Sequence, residues 1–241
     1  QSDEAACVIE ERCLEYNARL IRVGKDVTWQ GLGFEADKQL LEVNGRLTEY
    51  RIALPLLGSY QRENAAAAVA ALEVLTEKGF SITHDDIIAG LEKVGWPGRF
   101  QVLGQKPLIV ADGAHNPASI RQLKLSLANY IKNCISYKKN SKPFDKAILI
   151  IGASADKDIA GIVSELFLLF NEVIVTRSRH PRSMATDSIV AEFGKYGLET
   201  HATESVPEAL SQALSLVGEG DLICITGSHF VVGEAIEYLG R

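Results

Sequence analysis

The sequence of 241 residues predicts an α/β fold in two parts. Apolar and polar residues alternate over residues 19–54 between turn signals, a pattern typical of antiparallel strands. After residue 97, strand-like apolar runs alternate with helical runs, which indicates crossover connections and a mainly parallel sheet. We therefore predict one domain of antiparallel strands plus helices in residues 1–97, and a second domain with a mainly parallel sheet flanked by helices in residues 98–241.

The first part begins with a helical pattern of about fourteen residues. The Ala-rich run over residues 62–75 has high helix propensity, and a further helix is expected over residues 83–93. Thr83 and Asp86 have the spacing of a capping arrangement at the start of that helix. The turns predicted between the strands are residues 24–26, 31–33 and 44–46.

The second part alternates strands and helices, interrupted by a polar loop over residues 133–143. The predicted strands are 108–111, 146–151, 172–176 and 221–226. The predicted helices are 117–131, 158–169, 185–195, 207–217 and 228–239.

Bulk composition narrows the class of protein. The net charge is −6 and Lys and Arg form no dense run, which argues against nucleic acid as a partner. No stretch approaches the roughly 18 apolar residues that a membrane span requires. The four cysteines lack CxxC spacing, so we expect reduced thiols in a cytoplasmic protein. Because Gln1 is not a start methionine and a helical pattern follows at once, we expect a fragment.

Ligands of open parallel sheets collect at the carboxyl ends of the strands. Asp112 directly follows the predicted strand 108–111, and His115 comes just before Asn116 and Pro117, which suit the start of a helix. Asp112 could accept hydrogen bonds from a ribose, and His115 could meet an anionic group or orient a nucleophile. The pattern is equally typical of a turn in which both side chains only satisfy backbone groups.

Three other strand ends carry weaker signals. Residues 152–158 form a small-residue turn without the spacing of GxxxxGK[ST] or GxGxxG, so a tight turn with Asp158 capping a helix is favoured over an anion site. Ser228 and His229 follow strand 221–226 and could contact a carboxylate, although a helix cap at Ser228 is favoured. The basic segment 176–182 suits an acidic substrate, or is simply a solvated loop.

Arg99 follows a Pro-Gly turn at the expected domain junction. A guanidinium there could cross an interdomain cleft and neutralise a phosphate. The alternative is an arginine that forms a salt bridge between the two domains.

Five segments resemble, in the same order, those of folylpolyglutamate and dihydrofolate synthases. They are Leu56-Leu57-Gly58-Ser59-Tyr60-Gln61 with Asn64-Ala65, Trp96-Pro97-Gly98-Arg99-Phe100-Gln101, Asp112-Gly113-Ala114-His115-Asn116-Pro117, Ala155-Asp156-Lys157-Asp158 and Thr226-Gly227-Ser228. The third segment occurs in looser form in Mur peptide ligases. The ordered set spans nearly the whole chain and is far more specific than any one segment.

The resemblance implies ATP-dependent joining of glutamate to a (tetrahydro)folate through an acyl phosphate, with Mg²⁺, and leaves dihydropteroate open as a second acceptor. It also implies that residues 1–97 are the remainder of a central ATPase-type domain and residues 98–241 a C-terminal Rossmann-like domain. ATP, folate and glutamate are the implied partners, and the family suggests a monomer.

By matching positions, the resemblance implies that Asn64 contacts adenine, Arg99 the terminal phosphates and Asp112 the ribose. His115 and Ser228 are expected near the incoming glutamate, which makes Arg99 and His115 the candidate catalytic residues. The family's phosphate loop, magnesium ligands and modified lysine belong to the part preceding Gln1, so the chain alone is expected to be inactive. Tyr60 replaces a residue that is His in many members.

Two rival interpretations remain. One is a Mur-type ligase with a cell-wall precursor as acceptor. Residues 58–61 and 96–99 favour a folate acceptor over this alternative. The other is a non-catalytic module that binds a nucleotide or an acidic ligand.

Overall fold

The computed structural model describes residues 3–35, 37–134 and 143–240, which form two compact units. The first unit comprises the residues up to Glu35 together with Gln39–Leu54 and Gln61–Lys93. The second comprises residues 37–38, Pro55–Tyr60 and the residues from Val94 onward. The division into domains 1–97 and 98–241 stays a prediction.

The first part of the chain combines a small antiparallel sheet with helices. Its elements are α1 (Asp3–Glu15), β1 (Thr28–Glu35), β2 (Lys38–Asn44), β3 (Glu49–Leu54), α2 (Ser59–Glu77) and α3 (His84–Lys93). The strand order is β1-β2-β3, and β2 and β3 pair in antiparallel register. Leu41 and Val43 in β2, and Ile52 and Leu54 in β3, are buried at every second position, because successive side chains point to opposite faces of a strand.

Helix α3 begins as its sequence predicts. The Thr83 hydroxyl donates to Asp86 Oδ2 over 2.6 Å, and the backbone N–H of Asp86 donates back to Thr83 Oγ1 over 3.1 Å. This reciprocal pair satisfies N–H groups that have no partner within the helix.

The turn predicted at residues 31–33 is wrong, because both glycines lie inside β1. A side chain on Gly31 would collide with the guanidinium of Arg62, which in turn donates from Nε to Gln39 Oε1 over 2.7 Å. Glycine at position 31 therefore makes room for an arginine rather than marking a turn.

A buried carboxylate fixes the turn between β2 and β3. Glu73 in α2 is fully buried and accepts hydrogen bonds from the backbone N–H groups of Arg46 (2.8 Å) and Leu47 (3.0 Å) and from the Tyr50 hydroxyl (3.1 Å). Burial, followed by the Glu73 charge, raises the pKa of Tyr50 to about 12, so the phenol remains a donor at neutral pH. The desolvation of the Glu73 carboxylate is thus offset by three donors.

The second part of the chain is a six-stranded sheet with helices. Its elements are β4 (Gln101–Gln105), β5 (Leu108–Ala111), α4 (Pro117–Cys134), β6 (Ala147–Ile151), α5 (Ile159–Leu166), β7 (Glu172–Val175), α6 (Thr186–Gly194), β8 (Glu199–Ala202), α7 (Val206–Leu216), β9 (Leu222–Thr226) and α8 (His229–Tyr238). The strand order is β4-β5-β9-β6-β7-β8, in which β4 pairs antiparallel with β5 and the other pairs are parallel.

The predicted fold class is confirmed, and the four predicted strands of the second part correspond to β5, β6, β7 and β9. All four are buried along their length, as expected of parallel strands covered on both faces. The edge strands β4 and β8 were not predicted, because their sequences, QVLGQ and ETHA, contain few apolar residues. The loop predicted at residues 133–143 falls largely outside the described residues.

The structure also describes the length of the helices and the state of three cysteines. Among the described residues, no helix is long and apolar enough to cross a membrane. Cys7, Cys13 and Cys224 are free thiols, and burial raises the pKa of Cys224.

Replacing Glu73 with Ala should lower the free energy of unfolding by about 2–4 kcal/mol, because two backbone N–H groups and a phenol lose their buried acceptor. Urea unfolding measures this change. Glu63→Ala, at an exposed position of the same helix, is the matched control and should change stability by less than about 0.5 kcal/mol. Equal effects of the two substitutions would contradict this role of Glu73.

Candidate active site

The candidate site lies where the neighbouring strands β5 and β9 end. The N–H of Asp112 donates to Ile225 O (3.0 Å), and the N–H of Gly227 donates to Ala114 O (2.9 Å). The buried Thr226 hydroxyl donates to Asp112 O over 2.8 Å. These bonds fasten the segment after β5 to the segment after β9 and bring their polar side chains to one edge of the sheet.

The Asp112 carboxylate is the centre of this edge. It is only 4% exposed and accepts hydrogen bonds from the backbone N–H groups of Phe100 (2.7 Å) and Ala114 (2.8 Å) and from the Tyr60 hydroxyl (3.3 Å). Burial raises the pKa of Asp112, while these hydrogen bonds and the charge of Arg99 oppose the rise. Asp112 thus satisfies backbone groups, one of the two alternatives drawn from the sequence, and its contact with a ribose stays a prediction.

Arg99 is carried by a turn that several hydrogen bonds hold in place. The N–H of Gly113 donates to Gly98 O (2.8 Å), and the N–H of Gly98 donates to the side chain of Gln101 (2.9 Å). Phe100 has a φ of 36°, a left-handed conformation that its hydrogen bond to Asp112 helps to maintain. Within the described part of the chain, the guanidinium of Arg99 forms no hydrogen bond or salt bridge. It is therefore free to bind an anion.

His115 is held in one orientation by the backbone. Its Nδ1 lies 2.8 Å from Gly113 O. A carbonyl oxygen can only accept a hydrogen bond, so Nδ1 carries a proton, and in the neutral tautomer that fits this contact Nε2 is an acceptor. Asn116 accepts from the N–H of Ser119 (2.8 Å) at the start of α4, as its position before Pro117 predicts.

Ser228 and His229 complete the edge. Ser228 is buried and caps α8 by accepting from the N–H of Phe230 (3.2 Å), as the sequence favours. The His229 ring lies 5.2 Å from the His115 ring, centroid to centroid, in an edge-to-face arrangement. Partial burial lowers the pKa of His229, and electrostatic interactions with Arg99 and His115 lower it further. From the sequence, His229 could contact a carboxylate of a ligand, and that contact stays a prediction.

The structure brings together four of the five candidate residues, namely Arg99, Asp112, His115 and Ser228, in the second unit. Asn64 belongs to the first unit, where it is exposed on α2 and donates from Nδ2 to Gln61 Oε1 over 2.9 Å. With Arg22 and other residues, Asn64 lines a cleft of about 400 Å³ in that unit. The roles proposed from the resemblance for these five residues stay predictions.

The basic segment 176–182 is largely compensated by carboxylates. Arg177 forms a salt bridge with Glu204 (2.6 Å), and Arg179 forms one with Glu237 (2.5 Å). Both arginines are more than half exposed, so the segment is a solvated, ion-paired loop. Asp158 accepts from the N–H of Gly161 (2.9 Å) and caps α5, as the sequence favours.

The described residues contain no group of three or more His, Cys, Asp or Glu side chains that could hold a metal ion. The magnesium that the resemblance implies stays a prediction, and the sheet edge carries a guanidinium, two imidazoles and hydroxyls together with the buried Asp112 carboxylate. A guanidinium can bind an anion, and an unprotonated imidazole nitrogen can accept a hydrogen bond from a donor.

A comparison with protein families agrees with this geometry. Residues 98–229 match the family described as Mur ligase, glutamate ligase domain, which covers more than half of the chain. The chain therefore belongs to the Mur ligase family.

Within that family, the chain is similar to folylpolyglutamate synthases, as the ordered segments predict. It is 30% identical over 223 residues to a dihydrofolate synthase/folylpolyglutamate synthase of Mycobacterium tuberculosis, covering 84% of this chain and 43% of the relative. It is 31% identical over 183 residues to a probable bifunctional folylpolyglutamate synthase/dihydropteroate synthase of Halobacterium salinarum, covering 76% of this chain and 20% of the relative.

Solved structures support the same relationship. A Mycobacterium tuberculosis folylpolyglutamate synthase complexed with ADP and AMPPCP matches with a TM-score of 0.87 and 27% identity, covering 100% of this chain and 54% of that one. The chain thus spans about half, or less, of the length of these relatives.

Removing the charge of Arg99 should move the pKa of His229 upward, toward the ordinary histidine value, because one of the charges that disfavour the imidazolium is lost. Titration of the His229 ring by NMR in the Arg99→Ala variant measures the change. In the Arg177→Ala control, whose lost charge was compensated by Glu204, the pKa of His229 should stay as in the native chain. An unmoved pKa in Arg99→Ala would show that the two groups are not close.

Proposed function

We propose that this chain works as the carboxyl-terminal part of an ATP-dependent ligase that joins L-glutamate to a (tetrahydro)folate. The observation that carries the proposal is that Asp112 and His115, directly after β5, and Ser228, directly after β9, share one sheet edge with the turn that carries Arg99. Family membership and the similarity to folylpolyglutamate synthases support the same activity.

The proposed reaction has two steps. The folate carboxylate attacks the terminal phosphorus of ATP, which forms an acyl phosphate and releases ADP. The glutamate amine then attacks the acyl carbon, the bond between that carbon and the phosphate oxygen breaks, inorganic phosphate leaves, and the nitrogen releases a proton to solvent to give the amide. Negative charge develops on phosphate oxygens in both steps, so an oriented guanidinium stabilises both transition states.

Each candidate residue has a part in this scheme. Arg99 binds the terminal phosphates, because its guanidinium lacks an internal partner among the described residues. His115 and Ser228 contact the incoming glutamate, His115 through the acceptor Nε2 and Ser228 through a hydroxyl hydrogen that its capping bond leaves available. Asp112 contacts the ribose and Asn64 the adenine.

Nucleotide binding is supported by the related Mycobacterium tuberculosis synthase, which was solved with ADP and AMPPCP. Mg²⁺ would accompany ATP and neutralise phosphate charge, and its ligands would come from residues other than those described here. The chain alone is accordingly expected to be inactive. We further propose a cytoplasmic monomer, and dihydropteroate as a second acceptor.

The rival ligase, a Mur-type enzyme with a cell-wall acceptor, shares the family but is not favoured by the similarity to folate enzymes. A non-catalytic binding module is likewise not favoured by relatives that are synthases.

The test is ADP release by the full-length protein that carries this chain, supplied with ATP, Mg²⁺, tetrahydrofolate and glutamate. We expect turnover only when folate and glutamate are both present, and none from the 241-residue chain alone. Arg99→Ala should slow turnover by about 100-fold, the typical cost of losing one preorganised transition-state contact.

Arg177→Ala is the matched control, because Arg177 is exposed and paired with Glu204, and it should leave the rate unchanged. Turnover with a muramyl peptide in place of folate would replace the proposal by a Mur-type activity. Absence of turnover with either acceptor would favour the binding module.

A further inference from the structure

The His229 ring occupies space that only a glycine leaves open. His229 is the first residue of α8, directly after the capping Ser228. A side chain on Gly113 would collide with His229 Nδ1 and Cε1, so the ring packs directly against the Gly113 backbone. In this position the His229 ring contacts the His115 ring edge to face, with 5.2 Å between the ring centroids.

Gly113 also fixes the other imidazole. Its carbonyl accepts from His115 Nδ1 (2.8 Å), and its N–H donates to Gly98 O (2.8 Å). Gly113 therefore contacts all three groups: its carbonyl orients the His115 ring, its backbone packs against the His229 ring, and its N–H bonds to the turn that carries Arg99. His229 contacts the same imidazole from another side, edge to face.

The surroundings of His229 disfavour its charged form. Partial burial, followed by electrostatic interactions with Arg99 and His115, lowers its pKa, and the amino end of a helix is an unfavourable place for a cation. At neutral pH His229 is therefore a neutral ring that acts by packing, since it forms no hydrogen bond or salt bridge with other described residues.

We propose that His229 is a positioning residue: its ring holds His115 with Nδ1 bonded to Gly113 and Nε2 exposed as the acceptor for the amine of the amino-acid substrate. The proposal rests on the proposed function for the identity of that amine. An amine that donates to Nε2 is oriented with its lone pair directed away from the imidazole, available for attack on the acyl carbon.

The tautomer of His115 tests the proposal without any need for catalysis. Long-range ¹H–¹⁵N NMR of the native chain should give a protonated Nδ1 and an unprotonated Nε2. His229→Ala removes the ring and should yield a mixture of tautomers, whereas His229→Phe, which retains a flat ring of similar size, should keep the native tautomer. Because His229 is exposed, neither change should unfold the chain, which circular dichroism checks.

Kinetics of the full-length protein give the second readout. His229→Ala should raise the KM for glutamate by about three- to tenfold, the effect of losing one oriented hydrogen bond, with the KM for ATP nearly unchanged. His229→Phe should restore the native KM. A single native tautomer in His229→Ala, or a Phe variant that behaves like the Ala variant in both measurements, would overturn the proposal. Failure of the proposed function would instead appear as absent folate-dependent turnover in the unaltered protein.

Discussion

The buried carboxylate of Asp112 is the interaction on which the rest of the site depends. Three donors from separate segments converge on it: the Tyr60 hydroxyl and the backbone N–H groups of Phe100 and Ala114. A carboxylate that is only 4% exposed would be costly to bury alone, and each buried N–H left without it would cost about 1–3 kcal/mol. The acid and its donors therefore require one another, and the turn before β4 cannot detach from the tip of β5 without breaking this set.

That requirement explains how one sheet edge can present a free cation. Arg99 sits between Gly98, which is bonded to Gly113, and Phe100, which is bonded to Asp112, so the backbone on both sides of Arg99 is fixed. The Asp112 carboxylate accepts its hydrogen bonds from other donors, and the Arg99 guanidinium forms no salt bridge with an acid among the described residues. In the basic loop after β7, by contrast, Arg177 and Arg179 are neutralised by glutamates. Only the first arrangement leaves charge available for a phosphate.

The sequence predicts much of the fold and the membership of the site, for identifiable reasons. Runs such as AILII and LICIT are apolar enough to indicate buried parallel strands, and polar residues directly after them must lie at one edge of the sheet. The edge strand β8 has little apolar character, and its strand conformation comes from pairing with β7. The glycine at position 31 predicted a turn because Arg62, whose guanidinium lies against Gly31, is distant in the sequence. The packing of His229 against Gly113 likewise depends on β5 and β9 being neighbours in the sheet, and the spacing of apolar residues in the sequence does not specify strand order.

Amide hydrogen exchange at Phe100 and Ala114 tests the central role of Asp112 most directly. Both N–H groups lie outside the strands, yet our account predicts that they exchange as slowly as the amides of β5 and that Asp112→Asn, which replaces one acceptor oxygen by a donor, accelerates at least one of them strongly. Fast exchange at both amides in the native chain, or unchanged slow exchange in the variant, would contradict the account, because the Arg99 turn would then be held by something other than this carboxylate.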